Sequence, residues 1–405
     1  MKKVAVFTGN RAEYGLQVSA LRAIESHPDL EYRLIVSGSH LDENFGSSIE
    51  EIKNDGLRID AKIKIEVDDD SLISNVKAIG STILKIGDIL KLIKPDFFLV
   101  YGDRSEAFAA VIASTQMNIP TGHIEGGDLT EGGALDDSMR HAMTKLSHIH
   151  FTTNIQSKNR VLAMGEEAWR VHNVGFLAID MINEKKYASP KEVSTNLGID
   201  LSKPIILFTQ HSVVSDFYLS GAQINESLRA LEVHAKSGAQ VVITYPNNDA
   251  GGRVIIDNLK LLEKRSVKGI QIHKSLGRHL YHGMLGLAIN KDIKIVCVGN
   301  SSSGIKETPA FGCPTVNIGS RQLGRLRGKN VTDVDYKEKD IIDSIQLCLT
   351  DKNFRKQCFE TDNPYFKGNS GEKIAMVISK ISINKDLLRK KMTLNGEINN
   401  DGWYK

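Results

Sequence analysis

The strongest constraint on the fold is a strict alternation of short apolar runs with helical segments. VAVFTG (4–9) is apolar and ends in glycine, and a helical pattern follows from Glu13 to Ser26. The unit recurs at YRLIVSG (32–38), AKIKIEV (61–67), PDFFLVYG (95–102), IPTGHIEGG (119–127), HIHFTTN (148–154) and RVHNVG (170–175). Helical stretches separate these runs, among them one ending near Leu92 behind an N-cap cluster at Asp68–Ser71, SEAFAAVIASTQMN, and a helix opening at Asp136-Asp137 and running to Leu146. Apolar runs this short, bounded by turn residues and alternating with helices, are strands of a doubly wound parallel sheet. After a polar segment at 184–203 the alternation restarts with PIILFTQH (204–211), QVVITYPNND (240–249), GIQIHKS (269–275), KIVCVGNSSS (294–303) and CPTVNIG (313–319). The expectation is α/β, with two Rossmann-like domains at 1–176 and 177–363 whose parallel sheets face a central cleft, a preferred ligand site. A tail from 364 to 405 carries helical periodicity through about residue 391 and a polar end at Asn399-Asn400-Asp401.

Bulk composition removes several function classes. The 405 residues suit two cores, and a net charge of +3 without a basic run does not suggest a nucleic-acid partner. No stretch approaches the ~18 apolar residues of a membrane span, and the N-terminal apolar run stops too early for a signal peptide. The four cysteines, Cys297, Cys313, Cys348 and Cys358, have no metal-ligand spacing; Cys297 and Cys313 read as core residues. A reducing cytoplasm and no metal or redox cofactor are the matching expectations.

Candidate chemistry gathers where strands end. In open α/β sheets ligands bind at the carboxyl ends of strands. Arg11, Asp103, Glu125 and His211 all follow strand candidates. The stretch His123–His141 holds Glu125, Asp128, Glu131, Asp136 and Asp137 among glycines, where carboxyl groups can be tuned for proton transfer. Asp137 is accounted for by the helix dipole. Arg11 can meet a phosphate or make a local ion pair, and His211 suits phosphate contact or proton transfer. The turn Tyr245–Gly251 is explained by its Pro and Gly, although Asn247, Asn248 and Asp249 can also reach a sugar or phosphate. Gly299–Glu307 (GNSSSGIKE) follows a strand and opens a helix, so its backbone N–H groups suit a phosphate, with Glu307 one turn in for a ribose. Arg321 and Arg325 can add charge for a diphosphate or lie on the surface.

Together GNRAEYG, YGDRSEA, HIEGGDLTEGGALDDSMRHAMTKLSHIHF, TQHSVVSD, YPNNDAG and GNSSSGIKETPAFGCPTVNIGSRQLGR resemble the UDP-N-acetylglucosamine 2-epimerases over nearly the whole chain. Non-hydrolysing relatives carry a PEE-type motif in place of Asp136-Asp137-Ser138 and His-Arg-Arg-Glu in place of His211-Ser212-Val213-Val214. The resemblance is therefore to the hydrolysing branch that begins sialic acid biosynthesis. It implies a GT-B-like fold, UDP held mainly by the second domain, and a C-terminal helix that crosses back onto the first. It further implies Ser302 and Ser303 at the diphosphate, Glu307 at the ribose, and Arg11, His211 and Arg321 at the phosphates or nearby sugar. Uracil would sit at Ser275-Leu276-Gly277, with Asp103, Glu125 and Asp136 as acid/base carboxylates. A homodimer or homotetramer is implied as well.

Under that resemblance UDP leaves C1 as the C2 proton is removed, and water adds to the glucal with inversion at C2. Three readings compete with UDP-N-acetylglucosamine as substrate. The same acids would serve UDP-2,4-diacetamido-2,4,6-trideoxyglucose; a GT-B glycosyltransferase would need an acceptor; a non-catalytic sensor leaves the carboxylates unexplained.

Overall fold

The structure, a computed structural model, describes the chain except Asn10, residues 42–48, 66–71, 131–134, 248–249 and 395–405, and the side chains of Arg11, Ala12, Ser39, Leu72 and Val214. The N-cap cluster at Asp68–Ser71, Glu131, Asn248, Asp249, the side chain of Arg11 and the polar end Asn399-Asn400-Asp401 lie outside the described residues. Two parallel-sheet α/β units result. The first comprises Met1–Asp128, Leu135–Asp180 and Tyr365–Lys405; the second comprises Leu129–Ala134 and Met181–Pro364.

In the first unit, chain order is β1 (Lys2–Thr8), α1 (Arg11–Ser26), β2 (Leu30–Ser37), α2 (Ile49–Asn54), β3 (Ile59–Ile63), α3 (Leu72–Ile93), β4 (Phe97–Tyr101), α4 (Ser105–Gln116), β5 (Thr121–Ile124), α5 (Leu135–Leu146), β6 (Ile149–Thr152), α6 (Ile155–Ala163), β7 (Val171–Asn173) and the start of α7 (Ala178–Asn183). The strands form one sheet in the order β3-β2-β1-β4-β5-β6-β7, and each recorded pair is parallel. β1, β4, β5 and β6 are almost wholly buried, which is why they read as unbroken apolar runs. β3 is shorter than AKIKIEV suggests. It pairs only with β2, whose last partner, Ser37, meets Ile63, so Lys64 and Ile65 have no neighbouring strand to bond.

The second unit runs α8 (Pro190–Leu197), β8 (Ile205–Thr209), α9 (Ser220–Lys236), β9 (Gln240–Thr244), α10 (Gly252–Lys264), β10 (Ile270–His273), α11 (Gly277–Gly286), β11 (Ile295–Gly299), α12 (Ser303–Lys306), β12 (Thr315–Ile318), β13 (Val331–Val334), α13 (Glu338–Thr350) and α14 (Lys352–Phe359). Its sheet order is β10-β9-β8-β11-β12-β13, also parallel. The edge strand β13 was not among the sequence-read strands: VTDV is half-exposed and lacks the apolar signal of an inner strand. The sequence also left α13 and α14 unread, although α13 buries Ile341, Ile345, Cys348 and Leu349 against the sheet.

Two further helices, α15 (Ser370–Lys380) and α16 (Lys385–Leu388), return to the first unit. Asp180 accepts the Ser370 and Gly371 amides at 2.9 and 2.8 Å, satisfying the open N-terminus of α15. Lys2 Nζ donates to the carbonyls of Ile378 (3.0 Å), Ser379 (2.6 Å) and Ile381 (2.5 Å) at its other end. Gly371 lies against α1 so closely that an added Cβ would sit 2.5 Å from the Ser19 carbonyl oxygen. No described helix is long and apolar enough to cross a membrane.

In each sheet the order in which strands are added reverses once, between β1 and β4 and between β8 and β11. Crossover helices diverge at such a point, leaving the carboxyl ends of the two central strands uncovered. Gly299 closes β11 at φ +126°, where a Cβ would overlap the Thr209 carbonyl. Gly198, at φ +62°, has open space around its Cβ position. Gly299→Ala should therefore cost roughly 3 kcal/mol or more and lower the melting temperature by about 6–12 °C. Gly198→Ala should cost only ~1 kcal/mol. Thermal unfolding of both variants checks this, and equal midpoints would contradict it.

Candidate functional site

In the first unit the acidic residues sit on adjoining strand ends. Tyr101 of β4 and Ile124 of β5 are register partners, and the Gly102 amide donates to the Ile124 carbonyl at 3.1 Å. Asp103 and Glu125 therefore follow neighbouring parallel strands. Gly102, at φ +78°, makes the turn that carries Asp103 off the sheet. Glu125 occupies φ +71°, uncommon for a residue with a Cβ, while its amide donates to the Phe151 carbonyl at 2.9 Å and the residue stays buried. Backbone strain of this kind gathers at functional sites.

A buried arginine, absent from the sequence-derived candidates, organises the carboxylates. Arg140 on α5 is 2% exposed, donates through Nη2 to Asp103 Oδ2, and places Nη1 3.7 Å from Asp128 Oδ2. Asp136 lies one helical turn before Arg140, on the same face of α5. Asp137 is buried and Asp136 half-buried. His123, also missed, donates through Nε2–H to the Gly102 carbonyl at 2.7 Å and sits 3.1 Å from Thr144 Oγ1 through Nδ1. Burial drives its pKa down to about 3, so the ring is neutral. The signal for Arg140 was present: a cation four residues after an acid in a helix just beyond a glycine-rich acidic loop.

The second unit builds a different set. Asn300, directly after β11, clasps the His211 backbone: His211 N donates to Asn300 Oδ1 at 2.6 Å, and Asn300 Nδ2 donates to the His211 carbonyl at 2.8 Å. The Asn247 amide donates to His211 Nδ1 at 3.0 Å. An accepting Nδ1 carries no proton, so the neutral ring holds its proton on Nε2. Arg321 and Gln322 donate to the Asn300 carbonyl at 3.3 and 2.8 Å. Asn300 thus joins His211, Asn247 and Arg321, and it is fully buried.

Glu307 centres a second group. Its Oε2 accepts Ser303 Oγ–H at 2.7 Å and His282 Nε2–H at 3.0 Å. Burial pushes this carboxyl up, but His282, the Ser303 hydroxyl and Lys306 together outweigh it and hold it below the usual range. α12 is only one turn long. Its entry amides Gly304 and Ile305 donate to the Ser301 and Ser302 carbonyls at 3.1 Å each, and Ser302 also accepts the Lys306 amide at 2.9 Å. Leu276 and Gly277 open α11, where the Gly277 amide donates to Ser275 Oγ at 3.1 Å; the same helix carries His282 to Glu307. Arg11 opens α1, and its side chain lies outside the described residues. Among the described residues no three His, Cys, Asp or Glu side chains are grouped to hold a metal ion.

The two parallel-sheet α/β units give a GT-B-like fold. The family model described as UDP-N-acetylglucosamine 2-epimerase matches residues 22–379, and the chain belongs to that family. It is 32% identical over 390 residues to the UDP-N,N'-diacetylbacillosamine 2-epimerase (hydrolyzing) of Legionella pneumophila, covering 96% of this chain and 99% of that one. It is 33% identical over 384 residues to the UDP-N-acetylglucosamine 2-epimerase of Neisseria meningitidis serogroup B, covering 94% and 95%. The crystal structure of a Neisseria meningitidis UDP-GlcNAc 2-epimerase bound to UDP-GlcNAc superposes with a TM-score of 0.78 at 22% identity, covering 94% of this chain and all of that one.

The strain at Glu125 can be measured apart from any activity. Glycine tolerates φ +71°, whereas alanine keeps the Cβ that makes it costly. Glu125→Gly should melt higher than Glu125→Ala by about 2–4 °C, equivalent to ~1 kcal/mol. If the alanine variant melts at or above the glycine variant, the strain is not borne by this residue.

Proposed function

We propose that the chain is a hydrolysing 2-epimerase of a UDP-linked 2-acetamido sugar. Its leading substrate is UDP-N-acetylglucosamine, converted with water to UDP and N-acetylmannosamine, a product that feeds sialic acid synthesis. The observation that carries this reading is the end-to-end match to 2-epimerases at 32–33% identity, combined with strand-end carboxylates around a buried arginine.

C2–H of the sugar is a weak acid, so its removal needs a positioned base as the C1–O bond to UDP breaks. Hydration of the resulting 2-acetamidoglucal needs a proton delivered to C2 and a water activated at C1. Asp103, Glu125 and Asp136 are the groups proposed to share these duties, with Arg140 fixing the direction of Asp103. The departing diphosphate needs donors rather than acids. His211, whose proton sits on Nε2, and Arg321 suit that task, with Arg11 and Ser302 as further donors. Ser303 is proposed beside the diphosphate, where its hydroxyl, bonded to Glu307, would have to exchange partners to donate. Glu307 is proposed for the ribose, Leu276 and Gly277 for the uracil, and Asn247 for the sugar–phosphate region. Free, buried cysteines support a reducing cytoplasm as the site of action.

A second substrate reading rests on one finding. The Legionella relative, matched over 99% of its length, is named for UDP-N,N'-diacetylbacillosamine, which is UDP-2,4-diacetamido-2,4,6-trideoxyglucose. The same carboxylates would act at C1 and C2; only contacts at C4 and C6 would differ.

Incubation of the protein with each nucleotide sugar alone, in heavy water, separates the readings. The expected result is stoichiometric UDP and a free 2-epimerised sugar carrying solvent deuterium at C2. A glycosyltransferase would release no such sugar without an acceptor, and UDP from neither substrate would sink the proposal. Asp103→Asn, Glu125→Gln and Asp136→Asn should each lower turnover at least ~100-fold, with UDP affinity nearly unchanged. Full turnover in all three would refute the assignment of these carboxylates.

A further inference from the structure

The C-terminal segment after α15 is bonded into the first unit by contacts that the proposed chemistry does not use. Arg170, fully buried, donates to the carbonyls of Leu387 (2.8 Å) and Asp386 (2.8 Å). The Lys391 amide donates to Glu167 Oε2 at 3.1 Å, and the Thr393 amide to the Gly165 carbonyl at 2.9 Å. Between these anchors Lys390 turns inward. Its ammonium meets the carbonyls of Lys145 and Ser147 at 2.6 Å each and that of Thr144 at 3.4 Å. These are the carbonyls left open where α5 ends. Glu166, almost fully buried, holds the same ammonium at 2.8 Å.

A cation here does two things at once. It supplies donors to the orphan carbonyls, and it opposes the negative end of the helix dipole. The helix so held is α5, whose first turn carries Asp136 and Asp137 and whose next turn carries Arg140. Thr144, one turn further, meets His123, which in turn donates to the Gly102 carbonyl beside Asp103. α5 spans only 12 residues, so a shift of the helix as a body at its C-terminal end carries Arg140 with it relative to Asp103.

We infer that Lys390 is a positioning residue for the reaction: by capping α5 it sets the placement of Arg140 and Asp136. The inference rests on the proposed 2-epimerase reading for its kinetic readout, but not for its structural one. The groups facing Lys390 are Glu166 and, at longer range, Lys145, Arg170, His148 and His150. Burial, with help from the Lys145 and Arg170 charges, outweighs the pull of Glu166 and lowers the Lys390 pKa to about 8. The cap is therefore charged below that pH and lost above it.

The test uses the full chain and two variants. In Lys390→Met, kcat should fall about tenfold with KM within about twofold, the cost of a sub-ångström misplacement remote from the chemistry. Amide hydrogen exchange should accelerate in residues 143–147 and stay unchanged in the second unit. Wild-type kcat together with wild-type exchange in Lys390→Met would overturn the inference. Lys390→Arg keeps donors and charge but does not titrate near neutrality. Its kcat should recover most of the loss, and an alkaline limb near pH 8 in the wild-type profile should move up by about one unit or more. This second readout stands even where the methionine variant fails to fold, and an unmoved limb would count against the role of Lys390. Absence of UDP release by the wild type would instead strike the 2-epimerase reading, and the exchange data would still decide the cap.

Discussion

One neutral imidazole links the elements that carry the carboxylates of the first unit. His123 is fully buried, and its two nitrogens are committed to the Gly102 carbonyl and the Thr144 hydroxyl. A protonated ring would need an acceptor on both sides and would pay heavily for leaving water; burial holds it neutral down to about pH 3. A neutral ring can donate on one side and accept on the other, and this arrangement uses both faces of that chemistry. It ties the end of β4, the end of β5 and the third turn of α5 together. Gly126 completes the joint, since an added Cβ would press on Thr144 Oγ1 at 2.8 Å and His123 Nδ1 at 3.1 Å. The joint adds α5 to a pair of strand ends that the β4–β5 ladder and the Arg140–Asp103 contact already hold together.

The second unit solves the same problem with an amide instead of an imidazole. Asn300 satisfies both the N–H and the C=O of His211, as a backbone partner would, at a point where the strand has ended and no neighbour remains to do so. Its own carbonyl gathers Arg321 and Gln322. A buried network with its polar groups bonded is rigid, and rigidity at a strand end is what holds a donor in one direction. Glu307 follows the same rule on a smaller scale, shared by Ser303 and His282.

How much of this was legible follows from where the signal lives. Inner strands buried on both faces announce themselves as apolar runs, so β1, β4, β8 and β11 could be read directly, and with them the positions of Asp103 and His211. The edge strand β13 was not, because a half-exposed edge has a weak pattern; α13 does carry apolar residues at helical spacing and was passed over. Arg140, His123, Asn300 and Lys390 escaped for a different reason. Each acts through a partner far along the chain: Arg140 on Asp103, Asn300 on His211, Lys390 on the end of α5. Local spacing says what a residue can do, but not which distant carbonyl it will face.

The division of charge between the units has a physical rationale in the proposed reaction. A diphosphate carries negative charge, and a carboxylate ~4 Å away at an effective dielectric near 20 would be opposed by about 4 kcal/mol. Bases for C2 chemistry are therefore best carried by an element other than the one that binds phosphate. The carboxylates Asp103, Glu125 and Asp136 belong to the first unit, while Arg321, Lys306 and Arg325 belong to the second. Arg11, a proposed phosphate donor in the first unit, and Glu307, an acid in the second, both depart from this pattern, and the charge of Glu307 is met by His282, Ser303 and Lys306. In the proposed reaction a compensated carboxylate of this kind repels a diphosphate less than a bare one and can still accept a ribose hydroxyl.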